Sequence, residues 1–161
     1  MPLQDWFDRF GGVTPIHGRI HRSPLPFLPK HFEQLREAGI KVIFSHEEAI
    51  PGKLAREMGF DWRPHFWTDD APPTPFQMRA FLDDLATVPE DQNVLVHCKA
   101  GWGRTGSAIT CALVEQHDMT IEQALAHYWS RVPAAEAVMT GNGQADFVRG
   151  WAAARKGRGL Y

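Results

Sequence analysis

Apolar residues recur along this chain with two spacings, one typical of buried strands and one of amphipathic helices. Continuous apolar runs near residues 40–45 and 94–97 predict buried strands. Met78, Phe81, Leu82 and Leu85 fall on one helical face, which predicts a helix over residues 75–87. With proline and glycine as boundaries, two further strands are predicted, at residues 13–20 and 60–66. Further helices are predicted at 29–38, 105–116, 120–129 and 144–155, and a short helix is predicted to begin at Pro51. We expect an edge strand or a packed arm over the first ten residues.

The predicted strands and helices alternate along the chain, a pattern typical of an α/β sheet with a mostly parallel core. The chain of 161 residues has the size of one domain and contains no internal repeat or linker. We therefore expect a single domain over residues 1–161, with a central, mostly parallel sheet flanked by helices. The segment after the 94–97 strand then lies at the carboxyl edge of the sheet, where open α/β sheets bind ligands.

Composition and charge narrow the classes of function. The formal net charge of -2 gives no basic surplus of the kind that nucleic-acid-binding proteins carry. We find no apolar run long enough to span a membrane and no signal segment. Two cysteines, Cys98 and Cys111, make no disulfide framework, and Cys111 is expected to pack in the core. These features favour a cytoplasmic monomer with no nucleic-acid partner and no integral membrane segment.

Residues 97–106, His-Cys-Lys-Ala-Gly-Trp-Gly-Arg-Thr-Gly, carry most of the candidate chemistry. The loop between Cys98 and Arg104 is long enough to curl around one tetrahedral phosphate. Glycines at 101 and 103 let successive N–H groups point inward as an anion nest, and a planar guanidinium grips two phosphate oxygens. A helix N-terminus and a nearby arginine favour the nucleophilic thiolate form of a cysteine. The predicted phosphate contacts are Lys99, Ala100, Gly101, Trp102, Gly103 and Arg104.

Residues beside this loop have predicted supporting roles. The hydroxyl of Thr105 is suited to donate to the sulfur of Cys98, and His97 is expected to turn inward and hydrogen-bond loop carbonyls. Three roles stay open for Trp102, namely shaping the rim of the site, stacking on a substrate ring, and packing against a neighbouring loop.

The same residues allow two alternative interpretations. An isolated cysteine is usually a small buried apolar residue, but here it stands in a run that specifies several positions at once. The spacing Gly101-x-Gly103-x-x-Gly106 also fits a dinucleotide-binding fingerprint. That fingerprint opens a βαβ unit, whereas helices follow Gly106, so the pattern favours a substrate phosphate over a cofactor phosphate.

The run from His97 to Thr105 resembles the H-C-x5-R-[ST] signature of the cysteine-dependent protein tyrosine phosphatase superfamily, and most closely that of small dual-specificity phosphatases. Weaker similarity to these domains extends over residues 12–150, at Gly18-Arg19-Ile20, residues 38–43 and the Pro-rich stretch 72–75. The resemblance implies catalytic roles for Cys98, Arg104 and Thr105.

The resemblance also implies a general acid on a mobile loop and a polar residue that positions water. Trp67-Thr68-Asp69 is similar to the Trp-Pro-Asp of the family, with threonine in place of proline, so Asp69 is the expected acid. Its neighbour Asp70 is the fallback, and would point elsewhere if the segment is extended. Gln144 matches the water-positioning residue only weakly, because the segment from Arg131-Val132-Pro133 to Gln144 departs from the usual length.

We therefore expect a phosphomonoester hydrolase that forms a cysteinyl-phosphate, acts on phosphorylated tyrosine, serine or threonine in proteins, and needs no metal or cofactor. A phospholipid or inositol phosphate substrate is the alternative, since Lys99 is suited to a second phosphate. Arg63 and Arg131 are further cations for such a substrate. A weakly catalytic phospho-binding module and an arsenate reductase or sulfurtransferase are less favoured. The eight histidines, His17 and His21 among them, form no metal-binding pattern.

Overall fold

A computed structural model of the chain describes residues 6–158, with side chains described up to residue 155. The strands are β1 Thr14–His17, β2 Ile20–Ser23, β3 Ile40–Ser45, β4 Asp61–Pro64 and β5 Asn93–His97. The helices are α1 Trp6–Arg9, α2 Pro29–Glu37, α3 Gly52–Glu57, α4 Pro75–Ala86, α5 Gly103–His117, α6 Ile121–Arg131, α7 Ala134–Gly141 and α8 Gln144–Arg158.

Within residues 6–158 the strands form one five-stranded sheet in the order β1-β2-β5-β3-β4. The pairs β2–β5, β5–β3 and β3–β4 are parallel, and β1 joins the edge as an antiparallel strand. This confirms the predicted α/β class with a mostly parallel central sheet, and it puts the strand before Cys98 in the centre.

Alternation along the strands divides the core between the two faces of the sheet. Val94 and Val96 of β5 join the larger cluster, in which α5 packs against α4, α6, α7 and α8. Leu95 points to the opposite face and joins the smaller cluster, beneath α2 and α3. Both faces of the sheet are therefore covered, as a parallel sheet requires.

Strand register brings three chain segments together at the carboxyl edge. Ser23 at the end of β2 and Ser45 at the end of β3 both lie opposite His97 at the end of β5. The residues that follow these three strands therefore surround the start of the 98–104 loop.

The structure differs from the sequence expectation in three places. An α-helix, α1, stands where an edge strand or arm was expected, with Phe7 buried; residues 1–5 lie outside the described residues. The predicted strand 13–20 is two strands, because the chain reverses at Gly18, which has φ +52°. Helix α7 was not predicted at all.

No helix among the described residues is long and apolar enough to cross a membrane.

Candidate active site

Each of the four backbone carbonyls of residues 98–101 accepts a hydrogen bond from the surrounding protein. The carbonyl of Cys98 accepts from His97 Nδ1 at 2.9 Å, and that of Lys99 accepts from the N–H of Leu25 at 2.8 Å. Two further side chains complete the set: Arg22 Nη2 donates to the Ala100 carbonyl at 2.8 Å, and the Tyr128 hydroxyl donates to the Gly101 carbonyl at 2.7 Å.

The N–H groups of the loop are consequently free to face an anion. Within the described residues, none of the N–H groups of residues 99–102 donates a hydrogen bond to the protein. Gly101 makes this turn possible, since its φ is +78° and a Cβ there would collide with Arg22 and the Ser23 carbonyl. These N–H groups are therefore available for the anion nest that the sequence predicts.

His97 belongs to a hydrogen-bonded chain beneath the loop. Trp62 Nε1 donates to Ser45 Oγ at 2.8 Å, and Ser45 Oγ lies 2.7 Å from His97 Nε2. Because the Cys98 carbonyl only accepts, His97 carries its proton on Nδ1 and accepts from Ser45 through Nε2. Burial lowers the pKa of His97 to about 4, and the charge of Arg104 adds to this, so the ring is neutral at neutral pH.

This buried histidine makes folding stability depend on pH. The unfolded chain takes up a proton on His97 below pH 6.5, whereas the folded chain does so only near pH 4. Stability is therefore lost as the pH falls through that window, by about 1.4 kcal/mol per pH unit for this one group. Urea unfolding at pH 7 and pH 5 should give a smaller difference for His97→Asn than for the wild type.

The substitution His21→Asn, which removes a partly buried histidine from the neighbouring strand β2, is the matched control for the loss of a histidine as such. A wild-type stability that is equal at the two pH values would contradict the assignment of a neutral His97. His46 is also fully buried, which lowers its pKa in the same direction, so part of the pH dependence persists in His97→Asn.

Arg104 is buried and is held by four acceptors. Its Nη1 donates to the carbonyls of His46 at 3.0 Å and Trp67 at 3.1 Å. Its Nη2 lies 3.0 Å from Glu47 Oε1 and 3.1 Å from Asp69 Oδ1. Arg104 Nε is buried and has no hydrogen-bond partner in the described part of the chain, so this N–H is available to a ligand.

Glu47 is the clearest site residue that the sequence did not reveal. Its carboxylate accepts from Arg104 and from the N–H of Ala49 at 3.2 Å. Partial burial raises the pKa of Glu47, but the hydrogen bonds from Arg104 and Ala49 outweigh it, so the pKa lies below its ordinary value. The carboxylate therefore stays ionised and fixes the guanidinium. The sequence feature that could have identified Glu47 is its position two residues after β3, the strand that pairs with the strand leading into Cys98.

Asp69 and Asp70 stand in a turn and not in an extended segment, so the condition under which Asp70 would point away from the site is not met. Asp70 has φ +53° and its N–H is bound by Asp69 Oδ1 at 2.9 Å. As a result both residues line the cavity that contains Cys98. Only Asp69 contacts Arg104, and its side chain is 56% exposed.

Gln144 lies between the two loops. Its Nε2 donates to the Ala71 carbonyl at 3.2 Å, just after the two aspartates, and its amide packs so closely on Gly103 that a Cβ there would collide with it. Gln144 is 1% exposed, and its Oε1 has no hydrogen-bond partner among residues 6–158. Gln144 therefore contacts both the 98–104 loop, at Gly103, and the segment that follows Asp70.

A cavity of about 210 Å³, here called the loop cavity, is lined by Cys98 and its loop together with Asp69, Asp70 and Gln144. Its walls above the loop are Trp6, Trp102 and Val138, and the ammonium of Lys99 lies 5.9 Å from the centre of the Trp6 ring. Among the described residues its lining is Trp6, Asp69, Asp70, Cys98, Lys99, Ala100, Trp102, Gly103, Val138 and Gln144.

Three other residues that the sequence singles out lie in or near the site or in the core beside it. Thr105 is fully buried and its Oγ1 has no hydrogen-bond partner in the described part of the chain, which leaves it available to a sulfur. Trp102 is half-buried and meets Phe10 edge to face at 5.2 Å, so among its three open roles the contacts favour the rim. Cys111 is buried in the core and is a free thiol like Cys98.

Some predicted cations and histidines lie elsewhere. Arg63 is paired with Asp61 at 2.9 Å and Asp84 at 2.7 Å and does not line the loop cavity. His17 stacks edge to face on His117. In residues 6–158, no group of three or more His, Cys, Asp or Glu side chains is arranged to hold a metal ion.

Comparison with known proteins agrees with this geometry. Residues 26–118 match the model of a family described as "Polymorphic toxin system, DSP-PTPase phosphatase". The chain belongs to this DSP-PTPase phosphatase family. It is a cysteine-dependent phosphatase of the dual-specificity and protein tyrosine phosphatase type.

Curated proteins with sequences similar to this chain include CDC14 dual specificity protein phosphatases. The chain is 33% identical to CDC14B of Mus musculus over 115 residues, which are 71% of this chain and 22% of that protein. It is 32% identical to CDC14AB of Danio rerio over 124 residues, which are 76% of this chain and 20% of that protein. The chain therefore spans only 20% to 22% of the length of these two relatives.

Solved structures share the fold at low sequence identity. Tk-PTP in its active form has a TM-score of 0.73 at 19% identity, covering 86% of this chain and 97% of that chain. PTPMT1 in complex with PI(5)P has a TM-score of 0.74 at 13% identity, covering 92% of this chain and 99% of that chain.

We predict that Glu47→Gln lowers kcat/KM for a phosphomonoester about tenfold, because the charge-assisted bond that fixes Arg104 is lost. The measurement is steady-state hydrolysis of an aryl phosphate. The matched control is Glu48→Gln, which alters the exposed neighbour and should leave kcat/KM near the wild-type value. Equal losses in the two variants would contradict a role for Glu47 in holding Arg104.

Proposed function

We propose that this chain removes phosphate from phosphotyrosine and from phosphoserine or phosphothreonine in proteins, through a cysteinyl-phosphate intermediate. The observation that carries the proposal is that one cavity contains Cys98, the unpaired N–H groups of the 98–104 loop and the carboxylate of Asp69. These are a nucleophile, an anion cradle and a proton donor, which together suffice for phosphoryl transfer.

In the first step the Cys98 thiolate attacks phosphorus in line with the leaving oxygen. The S–P bond forms as the P–O bond breaks, and Asp69, protonated at that stage, gives its proton to the leaving oxygen. The loop N–H groups and Arg104 stabilise the charge that spreads over the equatorial oxygens. A bound phosphate would take the Nη2 position that Asp69 holds in the structure, which releases the carboxylate toward the leaving group.

In the second step water attacks the phosphocysteine. Asp69, now a carboxylate, takes a proton from the water, and the free Oε1 of Gln144 orients that water from the wall of the cavity. Thr105 Oγ1 donates to the departing sulfur of Cys98, which eases its release as a thiolate. No metal or cofactor enters either step.

The role of Asp69 predicts an effect that depends on the leaving group. We expect Asp69→Asn to lower kcat on a phosphoserine peptide about 10²- to 10³-fold, because an alkoxide must be protonated as it leaves. The loss on p-nitrophenyl phosphate should be much smaller, since its leaving group is a weak base. Parallel kinetics with Asp70→Asn provide the comparison, and a larger leaving-group effect there would transfer the acid role to Asp70.

A protein substrate is favoured by the walls of the loop cavity. Trp6, Trp102 and Val138 offer aromatic and aliphatic surface to the body of a phosphorylated side chain, while the loop takes its phosphate. Lys99 supports the alternative of a phosphoinositide or inositol phosphate, because its ammonium lies at the same rim. The similarity of fold to PTPMT1 in complex with PI(5)P adds to that alternative.

The test is phosphate release from three substrates in parallel: a phosphotyrosine peptide, a phosphothreonine peptide and a panel of soluble phosphoinositides. We expect higher kcat/KM on the peptides. Preference for a phosphoinositide, reduced in Lys99→Gln, would replace the proposal with its alternative. Binding of all three without turnover would support a phospho-binding module.

We further propose that residues 1–161 act as one catalytic unit, as a monomer in the cytoplasm. The free thiols of Cys98 and Cys111 suit a reducing compartment. Sedimentation of the purified chain and fractionation of expressing cells test these two points.

A further inference from the structure

The segment that carries Asp69 leaves the protein directly after a buried tryptophan. Trp67 is 6% exposed, whereas the three residues that follow it, here called the acid loop, are all exposed: Thr68, Asp69 and Asp70. Thr68 has no ring that restricts φ, as a proline would have at this position. The direction in which the acid loop leaves the protein is therefore set at Trp67.

One residue, His46, makes three contacts with the segment that leads into the acid loop. Its carbonyl accepts from the N–H of Trp67 at 3.1 Å, and its Nδ1 donates to the carbonyl of His65 at 2.8 Å. Its imidazole lies against the indole of Trp67, with 3.8 Å between the ring centroids. Both rings also meet Phe81 of α4 edge to face, at 5.1 Å and 5.9 Å. The start of the acid loop is therefore held by ring packing as well as by hydrogen bonds.

The imidazole of His46 is a costly group for a position that only fills space. The residue is fully buried, and its proton lies on Nδ1, because the His65 carbonyl only accepts. Its Nε2 is then an acceptor, and it has no hydrogen-bond partner within residues 6–158. A buried acceptor without a donor costs free energy, which an apolar side chain would avoid. What the imidazole supplies in return is a flat surface for Trp67 and a donor for the segment before it.

We propose that His46 is a positioning residue for general-acid catalysis: its ring fixes Trp67, and through Trp67 it directs Asp69 toward the leaving oxygen of the substrate. This proposal rests on the proposed function, in which Asp69 is the proton donor. Asp69 lies only two residues beyond Trp67, so a small rotation of the indole displaces its carboxylate. Small errors in the position of a reacting group cost large factors in rate. On the far side of the acid loop, Gln144 Nε2 holds the carbonyl of Ala71 at 3.2 Å.

The test variant is His46→Asn. An asparagine amide can still donate to the His65 carbonyl, and the backbone carbonyl that binds Arg104 is unchanged, so the substitution removes chiefly the ring. We expect kcat on a phosphoserine peptide to fall about tenfold relative to kcat on p-nitrophenyl phosphate. The reason is that the peptide's alkoxide depends on the proton from Asp69, whereas p-nitrophenolate is a weak base.

The matched control is His31→Asn, the same change at another fully buried histidine. The ring of His31 in α2 stacks on Phe7 at 4.4 Å, and the residue does not line the loop cavity. This variant should lose stability but keep the wild-type ratio of the two kcat values. If both variants lower the ratio equally, or if His46→Asn leaves it unchanged, the positioning role is refuted while the phosphatase function stands.

A double variant separates a positioning role from a general loss of stability. If His46 acts through Asp69, then adding His46→Asn to a chain that already carries Asp69→Asn should hardly change the ratio further. An effect of full size in that background would show that the imidazole acts through another group, which overturns the proposal.

Failure of the proposed function gives a different pattern. If no phosphomonoester is hydrolysed, or if Asp69→Asn itself shows no leaving-group effect, hydrogen–deuterium exchange over residues 67–72 tests His46 without any use of activity. Faster exchange in His46→Asn than in the wild type, with unchanged exchange in His31→Asn, supports His46 as the residue that fixes this segment. Exchange equal to that of the wild type in His46→Asn overturns the proposal.

Discussion

Replacing Cys98 with serine is expected to lower phosphomonoester turnover on the order of 10⁴-fold or more, while inorganic phosphate still binds. An alcohol at this position stays protonated at neutral pH and attacks phosphorus poorly. The cradle does not depend on the sulfur, since the loop carbonyls are held by His97, Leu25, Arg22 and Tyr128. The measurement is single-turnover phosphate release from an aryl phosphate, with calorimetric phosphate binding to the same variant.

Cys111→Ser is the matched control for this change. It replaces the other buried cysteine, which lies along α5 in the core and not in the loop cavity. We expect Cys111→Ser to be less stable but to keep turnover at permissive temperature. Steady turnover by Cys98→Ser near the wild-type rate would reject a cysteinyl-phosphate intermediate. Loss of phosphate binding together with turnover would show that the thiol also supports the cradle.

The parts of the fold that sequence reasoning predicted are those whose signals are local. Strand β5, the 98–104 loop and helix α5 follow one another without interruption, so an apolar run, two glycines and a helical pattern identify them in order. Proline marks the start of α2 and α4, where its missing N–H costs nothing. The candidate nucleophile and arginine come from this local stretch.

The fold prediction from the sequence is wrong where two local signals compete. Over residues 13–20 the apolar and β-branched content indicates one strand, but Gly18 adopts φ +52° and reverses the chain into a hairpin. Helix α7 consists largely of alanine and other small residues between Pro133 and Gly143. A proline and a glycine at the two ends of a short segment are typical of a loop. In both places tertiary packing decides between alternatives that the sequence leaves nearly equal.

The residues that hold the site in shape were missed because strand order determines their position. Arg22 and Glu47 are 25 positions apart in sequence, yet they approach the 98–104 loop from opposite sides, since β2 and β3 both pair with β5. The sequence contains no spacing rule for that pairing. Tyr128 reaches the Gly101 carbonyl only through the packing of α6 on α5. Such contacts become visible once the sheet order β1-β2-β5-β3-β4 is known.

Arg104→Lys is expected to lower kcat/KM about 10³-fold, although it keeps the positive charge. The guanidinium spans the His46 and Trp67 carbonyls and the carboxylates of Glu47 and Asp69, and still has Nε left for a phosphate oxygen. An ammonium group has its three protons on one atom, so it cannot hold the His46 and Trp67 carbonyls, the Glu47 carboxylate and a phosphate oxygen at the same time. Part of the loss should therefore be in kcat, as charge on the transferring phosphoryl group is stabilised less well.

Thermal unfolding must accompany these kinetics, because lysine leaves buried carbonyls of His46 and Trp67 without a donor. The matched control is Arg63→Lys, which changes an arginine paired with Asp61 and Asp84 outside the loop cavity. It should lose some stability but hydrolyse an aryl phosphate close to the wild-type rate. If Arg104→Lys raises only KM and leaves kcat intact, Arg104 binds the ground state alone. In that case the loop N–H groups would stabilise the charge of the transition state. They are available for this role, because the loop carbonyls are bound by the protein and the N–H groups of residues 99–102 are not bound by any described residue.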